Sequence, residues 1–409
     1  MIRDHLINQK EEFSLKVLEP YIQRDVNIQG LDASMIKVVI GPRRAGKSFY
    51  AIHELSKKDS VAYVNFDDEE LIQAKDYDEI MRDLNTIYPD IKKLFFDEIQ
   101  NLPKWELFIN RLQRQGYDIT VSGSNANLLS KELATHLTGR HLKIELLPFS
   151  FKEYIKYIKA VSDNDKKSAL QKYIQQGGYP EVIIKNIDYK SYLSTLFDAI
   201  IYKDIIKRYN IRIPAKMTSL AEYLIANIAC EYSFKNVSKI LDVKSYLTIQ
   251  KYAGYLEESY LIFHIDKFSY KSKERIGANK KIYALDTGMI NTKAFQASPN
   301  YGRLYENIVA IELRRKGGEI YYWKNTQNEE VDFLVKEGIT VKELIQVCYD
   351  VSQEKTKNRE IRALLKASKD TICNNLTIIT ADYEAITKER WNDMTGTIKY
   401  IPLWKWLTQ

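Results

Sequence analysis

The sequence predicts an α/β fold: a mostly parallel sheet core, then a helical region, a helix-turn-helix with a hairpin, and a small mixed α/β region. Three observations lead there. Through residues 1–150, short apolar runs rich in Val, Ile and Phe alternate with helical stretches, the spacing expected of a parallel sheet. One of these runs leads straight into a glycine-rich turn and a helix. Beyond residue 150 the apolar spacing becomes helical, and beyond about residue 226 it changes again.

Composition bounds the class. A chain of 409 residues is long enough for two or three domains, each with its own core, and 45% hydrophobic with 28% charged residues excludes wholesale disorder. No run approaches a membrane span, and the N-terminal residues carry neither an apolar core nor a small-residue cleavage site. Cys230, Cys348 and Cys373 are too few and too scattered for a disulfide framework or a zinc site. The five histidines (His5, His53, His136, His141, His264) form no ligand cluster and are expected to be structural. These features predict a cytoplasmic protein without a membrane partner. The net charge of +7 is compatible with nucleic acid and does not by itself indicate it.

In the first region the expected strands are 36–40, 61–66, 93–96, 119–122 and 143–147. The strand 36–40 runs into Gly41-Pro42-Arg43-Arg44-Ala45-Gly46-Lys47-Ser48-Phe49, with a helix over 49–55. Glycines let the loop wrap so that several N–H groups point at one anion, on a helix N-terminus that already favours negative charge. This is the phosphate-binding loop in its required setting, so residues 41–49 are expected to hold a nucleoside triphosphate. Lys47 would reach the β- and γ-phosphates, and the Ser48 hydroxyl would ligate Mg²⁺. Asp97 and Glu98 close the third strand; Asp97 fits the Mg²⁺-holding role and Glu98 a general base for the attacking water. ATP and Mg²⁺ are therefore the expected cofactors, although no base-reading motif separates ATP from GTP.

Helices are expected at 151–160, at 166–176 and from 189 to 209, the last stretch breaking near Pro214, with a Gly177-Gly178-Tyr179-Pro180 turn between. This section, 151–225, reads as a helical lid. Helices at 232–241 and 245–256, the latter with Ser245 as N-cap, precede a strand 261–268, a basic tip 270–281 and a strand 282–285. Helix, turn, helix and basic hairpin over 226–290 describe a winged helix. The final section, 300–409, has a helix at 304–315 and strands at 320–323, 331–335, 344–347 and 377–380, and reads as a separate small α/β domain.

Nine short motifs in order resemble the AAA+-like archaeal and bacterial ATPases that carry an AAA_14 core and a DUF4143 C-terminal region. They are the loop 40–48, Phe96-Asp-Glu-Ile99, Ser122-Gly-Ser-Asn125, Thr138-Gly-Arg140 with Pro148-Phe-Ser-Phe-Lys-Glu-Tyr154, Gly177-Gly-Tyr-Pro180, Tyr202-Lys-Asp-Ile205, Tyr283-Ala-Leu-Asp-Thr-Gly288, Tyr305-Glu-Asn307 and Glu330-Val-Asp-Phe333. The resemblance covers nearly the whole chain. It implies a homo-oligomer, with a hexameric ring as one form, plus a winged helix and a restriction-nuclease-like terminal domain.

The resemblance also assigns roles. Ser124 or Asn125, ending the fourth strand, matches the polar sensor of the γ-phosphate, and Arg140, before the fifth strand, matches an arginine finger serving a neighbouring subunit. Arg43 and Arg44 are expected near phosphate or at a subunit interface, and Arg24 near the base. On the winged helix, Lys244, Lys251, Lys267, Lys271, Lys273, Arg275, Lys280 and Lys281 are candidate DNA-phosphate contacts. Glu257, Glu258 and Glu274 count against such contacts. A restriction-like site needs a helical Glu, a strand-end Asp and Glu-x-Lys on the next strand; Glu306 and Asp332 match the first two. The third motif has Gln346 and Cys348 instead, and cysteine cannot replace an ammonium. Lys342, on the same strand face, is a candidate for a migrated lysine.

Three readings follow: an Mg-dependent ATP hydrolase acting on DNA as a motor or branched-DNA remodeller, a slow ATP-gated switch with a protein partner, and an ATP-regulated metal-dependent nuclease with a degenerate site.

Overall fold

The computed structural model describes residues 2–26, 32, 34–57, 61–74, 76–124, 140–294 and 300–409. They divide into two compact units, Met1–Phe149 with Glu258–Tyr260, and Ser150–Glu257 with Leu261–Gln409.

The first unit is built on five strands, β1 (Ile36–Ile40), β2 (Val61–Asn65), β3 (Lys93–Asp97), β4 (Asp118–Gly123) and β5 (His141–Glu145). They lie in the order β2-β3-β4-β1-β5, and every neighbouring pair is parallel. Five residues of β1, Ile-Lys-Val-Val-Ile, are all buried, as suits a strand covered on both faces. Alternate side chains feed different cores. Val38 joins Leu6, Val64, Phe96, Phe108 and Leu112, whereas Val39 joins Tyr50, Ile144 and Leu146. The covering helices are α1 (Ile2–Leu18), α2 (Lys47–Leu55), α3 (Tyr77–Ile87) and α4 (Trp105–Arg114). Asp76 caps α3 by accepting from the Asp78 N–H at 2.9 Å, worth about 1 kcal/mol over alanine.

Register is what positions the site. Asn65 is level with Asp97, Phe96 with Val121, and Ile40 with both Gly123 and Glu145. The carboxyl ends of the strands therefore lie along one edge, where open parallel sheets receive ligands.

In the second unit, helices at Phe151–Tyr157, α5 (Asp163–Gln176), α6 (Tyr189–Ala199) and α7 (Pro214–Ala226) come first, and α6 continues as a π-helical stretch, Ile200–Lys207. Ser150 and Ser162 start the first two with reciprocal capping boxes to Glu153 and Asp165. Next come β6 (Glu231–Tyr232), α8 (Phe234–Ile240), α9 (Tyr246–Glu258), β7 (Ile262–Lys267), β8 (Lys280–Ala284) and α10 (Thr287–Lys293). The terminal section supplies α11 (Tyr301–Lys316), β9 (Glu319–Lys324), β10 (Glu330–Glu337), β11 (Thr340–Val347), α12 (Glu354–Thr371), β12 (Leu376–Thr380), β13 (Ala385–Trp391) and β14 (Met394–Pro402). Among the described residues the nine strands of this unit form one sheet, in the order β13-β14-β12-β11-β10-β9-β7-β8-β6.

Several expectations shift here. The helix expected from 232 starts at Phe234, because Tyr232 pairs with Lys280 and Ser233 caps the helix through the Asn236 N–H at 3.2 Å. The basic tip contains its own helical turn, Ser272–Gly277. The terminal section is not set apart from the hairpin. β7 and β9 pair in parallel, Asp266 with Tyr321 and Lys267 with Tyr322, and the Phe268 N–H donates to the Tyr322 carbonyl at 2.7 Å.

Three of the family-like motifs have a plain structural reason in this unit. Asp286 is buried and accepts from the N–H groups of Gly178 (2.7 Å) and Met289 (3.0 Å), so the Gly-Gly-Tyr-Pro turn and the start of α10 share one carboxylate. A Cβ on Gly177, whose φ is +77°, would lie 2.2 Å from that carboxylate. Asn307 is fully buried and pairs with both the N–H and the carbonyl of Ala284, at 2.9 Å each, tying α11 to β8.

Candidate nucleotide-binding site

The loop from Gly41 to Gly46 leaves β1 at the ligand edge. Gly41 has φ +153°, and a Cβ there would lie 2.0 Å from the Leu146 carbonyl oxygen, so only glycine fits. Gly46, with φ +88°, starts α2 without a side-chain cap, leaving the helix N-terminus to an anion. Arg44 also takes a left-handed φ of +66° and is exposed, and Arg43 is half-buried. Lys47 is buried and donates to the Pro42 carbonyl at 3.0 Å, folded back across the loop where phosphate would lie.

Arg24 has a different role from the expected one beside the base. Its buried guanidinium donates to the carbonyls of Ala45 (3.2 Å) and Leu147 (2.5 Å) and lies 4.9 Å from the Phe149 ring. It braces the loop from behind.

Asp97 ends β3, buried, and its carboxylate accepts from the Ser122 hydroxyl and, at 3.4 Å, from the Tyr63 hydroxyl. Burial, then the Glu98 charge, push its pKa up, while hydrogen bonds from Ser122 and Ser48 and the Lys47 ammonium pull it down. A buried carboxylate beside a serine hydroxyl is a hard-oxygen donor pair, and a divalent cation would relieve its desolvation. Ser48 and Asp97 therefore fit Mg²⁺.

Glu98 follows in the left-handed region, φ +49°, a conformation costly for a residue with a Cβ. That twist turns its side chain away from the strand direction. Gln100 donates to Glu98 Oε2 at 2.5 Å, and the Glu98 N–H donates to the Ser122 hydroxyl at 3.4 Å. Ser122 thus links both acids from the adjacent strand. Sequence reasoning passed over it in favour of Ser124 and Asn125. The signal was present, since Ser122 and Thr120 are the polar residues among the buried positions of β4. Ser124 is buried just past that strand, and Asn125 lies outside the described residues. Arg140 is exposed, and its carbonyl accepts from the Ile36 N–H at 3.0 Å.

Among the candidate DNA contacts, Lys244, Lys251, Lys271 and Lys273 are exposed, Lys267 and Arg275 half-buried. Lys271 pairs with Glu274 at 3.0 Å, and Tyr270 and Ile276 project from the same tip. Two assignments are corrected. Lys280 is held between Asp266 Oδ1 (2.6 Å) and His264 Nε2 (2.8 Å), and Lys281 is buried. Strand alternation turns Lys281 inward while its neighbour faces out.

Glu306, Asp332 and Gln346 do come together, at the floor of a cleft of about 520 Å³. Lys281 joins them, with Nζ 2.7 Å from Glu306, 2.6 Å from Glu330 and 2.9 Å from Asp332. Burial and the Asp332 charge raise the Glu306 carboxyl to about 8. Lys342 is elsewhere, paired with Glu337 at 3.1 Å. Gln346 is committed as well: its Oε1 accepts from the Asp332 N–H at 3.1 Å and its Nε2 donates to Glu360 at 2.6 Å. Cys348 is buried, its thiol directed at the Asp350 carbonyl and its pKa pushed up to about 12 by burial. Among the described residues no helix is long and apolar enough to cross a membrane.

Residues 33–155 match an AAA domain, 167–299 the domain of unknown function DUF8612, and 301–406 the domain of unknown function DUF4143. An uncharacterized protein of Methanocaldococcus jannaschii is 39% identical over 411 aligned residues, 94% of this chain and 90% of that one. An uncharacterized protein of Haemophilus influenzae is 30% identical, covering 82% and 87%. A solved Walker-type ATPase of Pyrococcus abyssi is similar at 15% identity and a TM-score of 0.42, over 68% of this chain and 99% of that one.

Proposed function

Because this chain belongs to the AAA_14/DUF4143 family of P-loop ATPases, we propose that it hydrolyses Mg-ATP at the 41–48 loop and couples that cycle to action on DNA. The observation that carries the hydrolytic half is the Asp97–Ser122–Glu98 arrangement at the edge where the phosphate loop begins. The loop N–H groups and Lys47 would bind the β- and γ-phosphates. Ser48 and Asp97 would hold Mg²⁺, which neutralises charge developing on the phosphate oxygens. Glu98, oriented by Gln100, would accept a proton from the water as its oxygen bonds to the γ-phosphorus and the bond to the bridging oxygen breaks. Ser124 or Asn125 would sense the γ-phosphate, and the exposed Arg140 would serve a neighbouring copy in a homo-oligomer.

The DNA half rests on the exposed cations at the second helix of the helix-turn-helix and at the hairpin tip, Lys244, Lys251, Lys271 and Lys273. The deciding experiment measures ATP turnover with and without single-stranded, duplex and four-way DNA, using Glu98→Gln as the inactive control. Stimulation by one DNA form, absent in the control, supports the proposal and names the substrate. Slow turnover indifferent to every DNA refutes the DNA half and favours a nucleotide-gated switch with a protein partner. Undiminished turnover in Glu98→Gln refutes the assignment of the base.

A further inference from the structure

We infer that the Lys281 ammonium occupies the place of a divalent cation among Glu306, Glu330 and Asp332, so that the nuclease-like cluster is a metal-free clamp rather than a hydrolytic centre. The restriction-like resemblance implies a metal here, and the residues present do not fit one. An ammonium has three N–H donors, and three carboxylates within 2.6–2.9 Å engage all of them. None is left to orient a nucleophile or a phosphate oxygen.

The carboxylates are engaged too. Asp332 accepts from Lys281 on Oδ1 and from the Val347 N–H on Oδ2, at 2.9 Å each. Glu306 Oε1 takes both Lys281 (2.7 Å) and the Tyr283 hydroxyl (2.8 Å). Gln346, which stands where a third ligand is needed, has its carbonyl on the Asp332 N–H and its amide on Glu360. Among the described residues, no group of His, Cys, Asp and Glu side chains has the geometry to hold a metal ion.

The surrounding charges complete the account. Lys324 pairs with Glu231 and lies 3.7 Å from Glu330, so a second cation backs the cluster from β9. Lys281 comes from β8, Glu306 from α11, and Glu330 and Asp332 from β10, so one buried ammonium joins three elements. A divalent ion could enter only by displacing it.

The test uses the full chain without nucleotide and Mn²⁺ as probe. The wild type should show no Mn²⁺ uptake that depends on Asp332. Lys281→Met, which leaves three buried carboxylates without their cation, should gain it. At Mn²⁺ about 100 times its Kd the gain is a rise in Tm of roughly 5–10 °C, absent in Lys281→Met/Asp332→Asn. Either of two results overturns the inference: Mn²⁺ uptake or Mn²⁺-dependent DNA cleavage by the wild type that Asp332→Asn abolishes, or a folded Lys281→Met that takes up no Mn²⁺. Should Lys281→Met not fold, the comparison of wild type with Asp332→Asn decides alone, no Asp332-dependent uptake supporting the clamp.

Discussion

Replacing Arg24 by methionine keeps most of the side chain's bulk and removes the fork that braces the phosphate loop. Two buried carbonyls, Ala45 and Leu147, then lose their donor, and the ring of Phe149 loses its cation. Each orphaned carbonyl costs about 1–3 kcal/mol and the cation–ring interaction about 0.5–2 kcal/mol, so the loss should be roughly 2.5–8 kcal/mol. For a unit of this size that lowers Tm by roughly 5–30 °C. Ala45 lies within the loop, so affinity should fall too, by about tenfold for each 1.4 kcal/mol of the loss that reaches the bound loop. Arg24→Lys keeps the charge, but a single ammonium lacks the fork that spans both carbonyls and should recover only part of the loss. Thermal melting and titration with a fluorescent ATP analogue read the two effects separately. A methionine variant that melts lower yet binds the analogue with unchanged Kd would refute the bracing of the loop and leave Arg24 a residue of the fold alone.

Further outcomes can be checked independently. Changing Lys271, Lys273 and Arg275 together to serine should leave melting unchanged and lower the dependence of log K on log salt for duplex DNA, by up to about 0.9 for each phosphate no longer neutralised; an unchanged slope would remove the tip from the interface. Glu306 has its folded pKa raised to about 8 from an ordinary 4.5, so its contribution to stability is fully present below about 4.5 and is lost as pH rises through 8. Urea unfolding between pH 5 and 9 should therefore slope downward with pH, and Glu306→Gln should flatten that slope by up to about 1.4 kcal/mol per unit. Gly177→Ala forces a Cβ to within 2.2 Å of the Asp286 carboxylate at a positive φ. It should cost about 2–5 kcal/mol by chemical denaturation, and a neutral result would mean the turn can rearrange around Asp286.

The nucleotide site was largely legible because its chemistry is local. Gly41 to Ser48 and Asp97-Glu98 each sit within a few residues of sequence, and the five strands that align them are apolar and β-branched. What the sequence hid is long-range. Arg24 reaches Leu147 across more than a hundred positions, and Ser122 meets Asp97 only through the parallel register of β3 and β4. Lys281 misleads for the same reason: next to Lys280 and a basic tip it looks like one more surface cation, and only the pairing of β8 in the larger sheet turns it toward Asp332. The strands β13 and β14 are hard to see because their exposed faces carry Lys388 and Arg390 beside Ile386, and Thr395, Thr397 and Lys399, so polar residues dilute the apolar signal of a strand. Helix α12 is equally veiled: its Ile361, Leu364 and Leu365 recur at helical spacing but are diluted by charged neighbours.

The pairing of β7 with β9 sets a limit on how this chain can be recombined. A cut near residue 300 would remove β7 from beside β9 and leave an open sheet edge. It would also take away the ammonium on which Glu306, Glu330 and Asp332 converge, and the Ala284 backbone that Asn307 clasps. The segment matched by the DUF4143 domain, 301–406, therefore completes its sheet only together with the hairpin that precedes it.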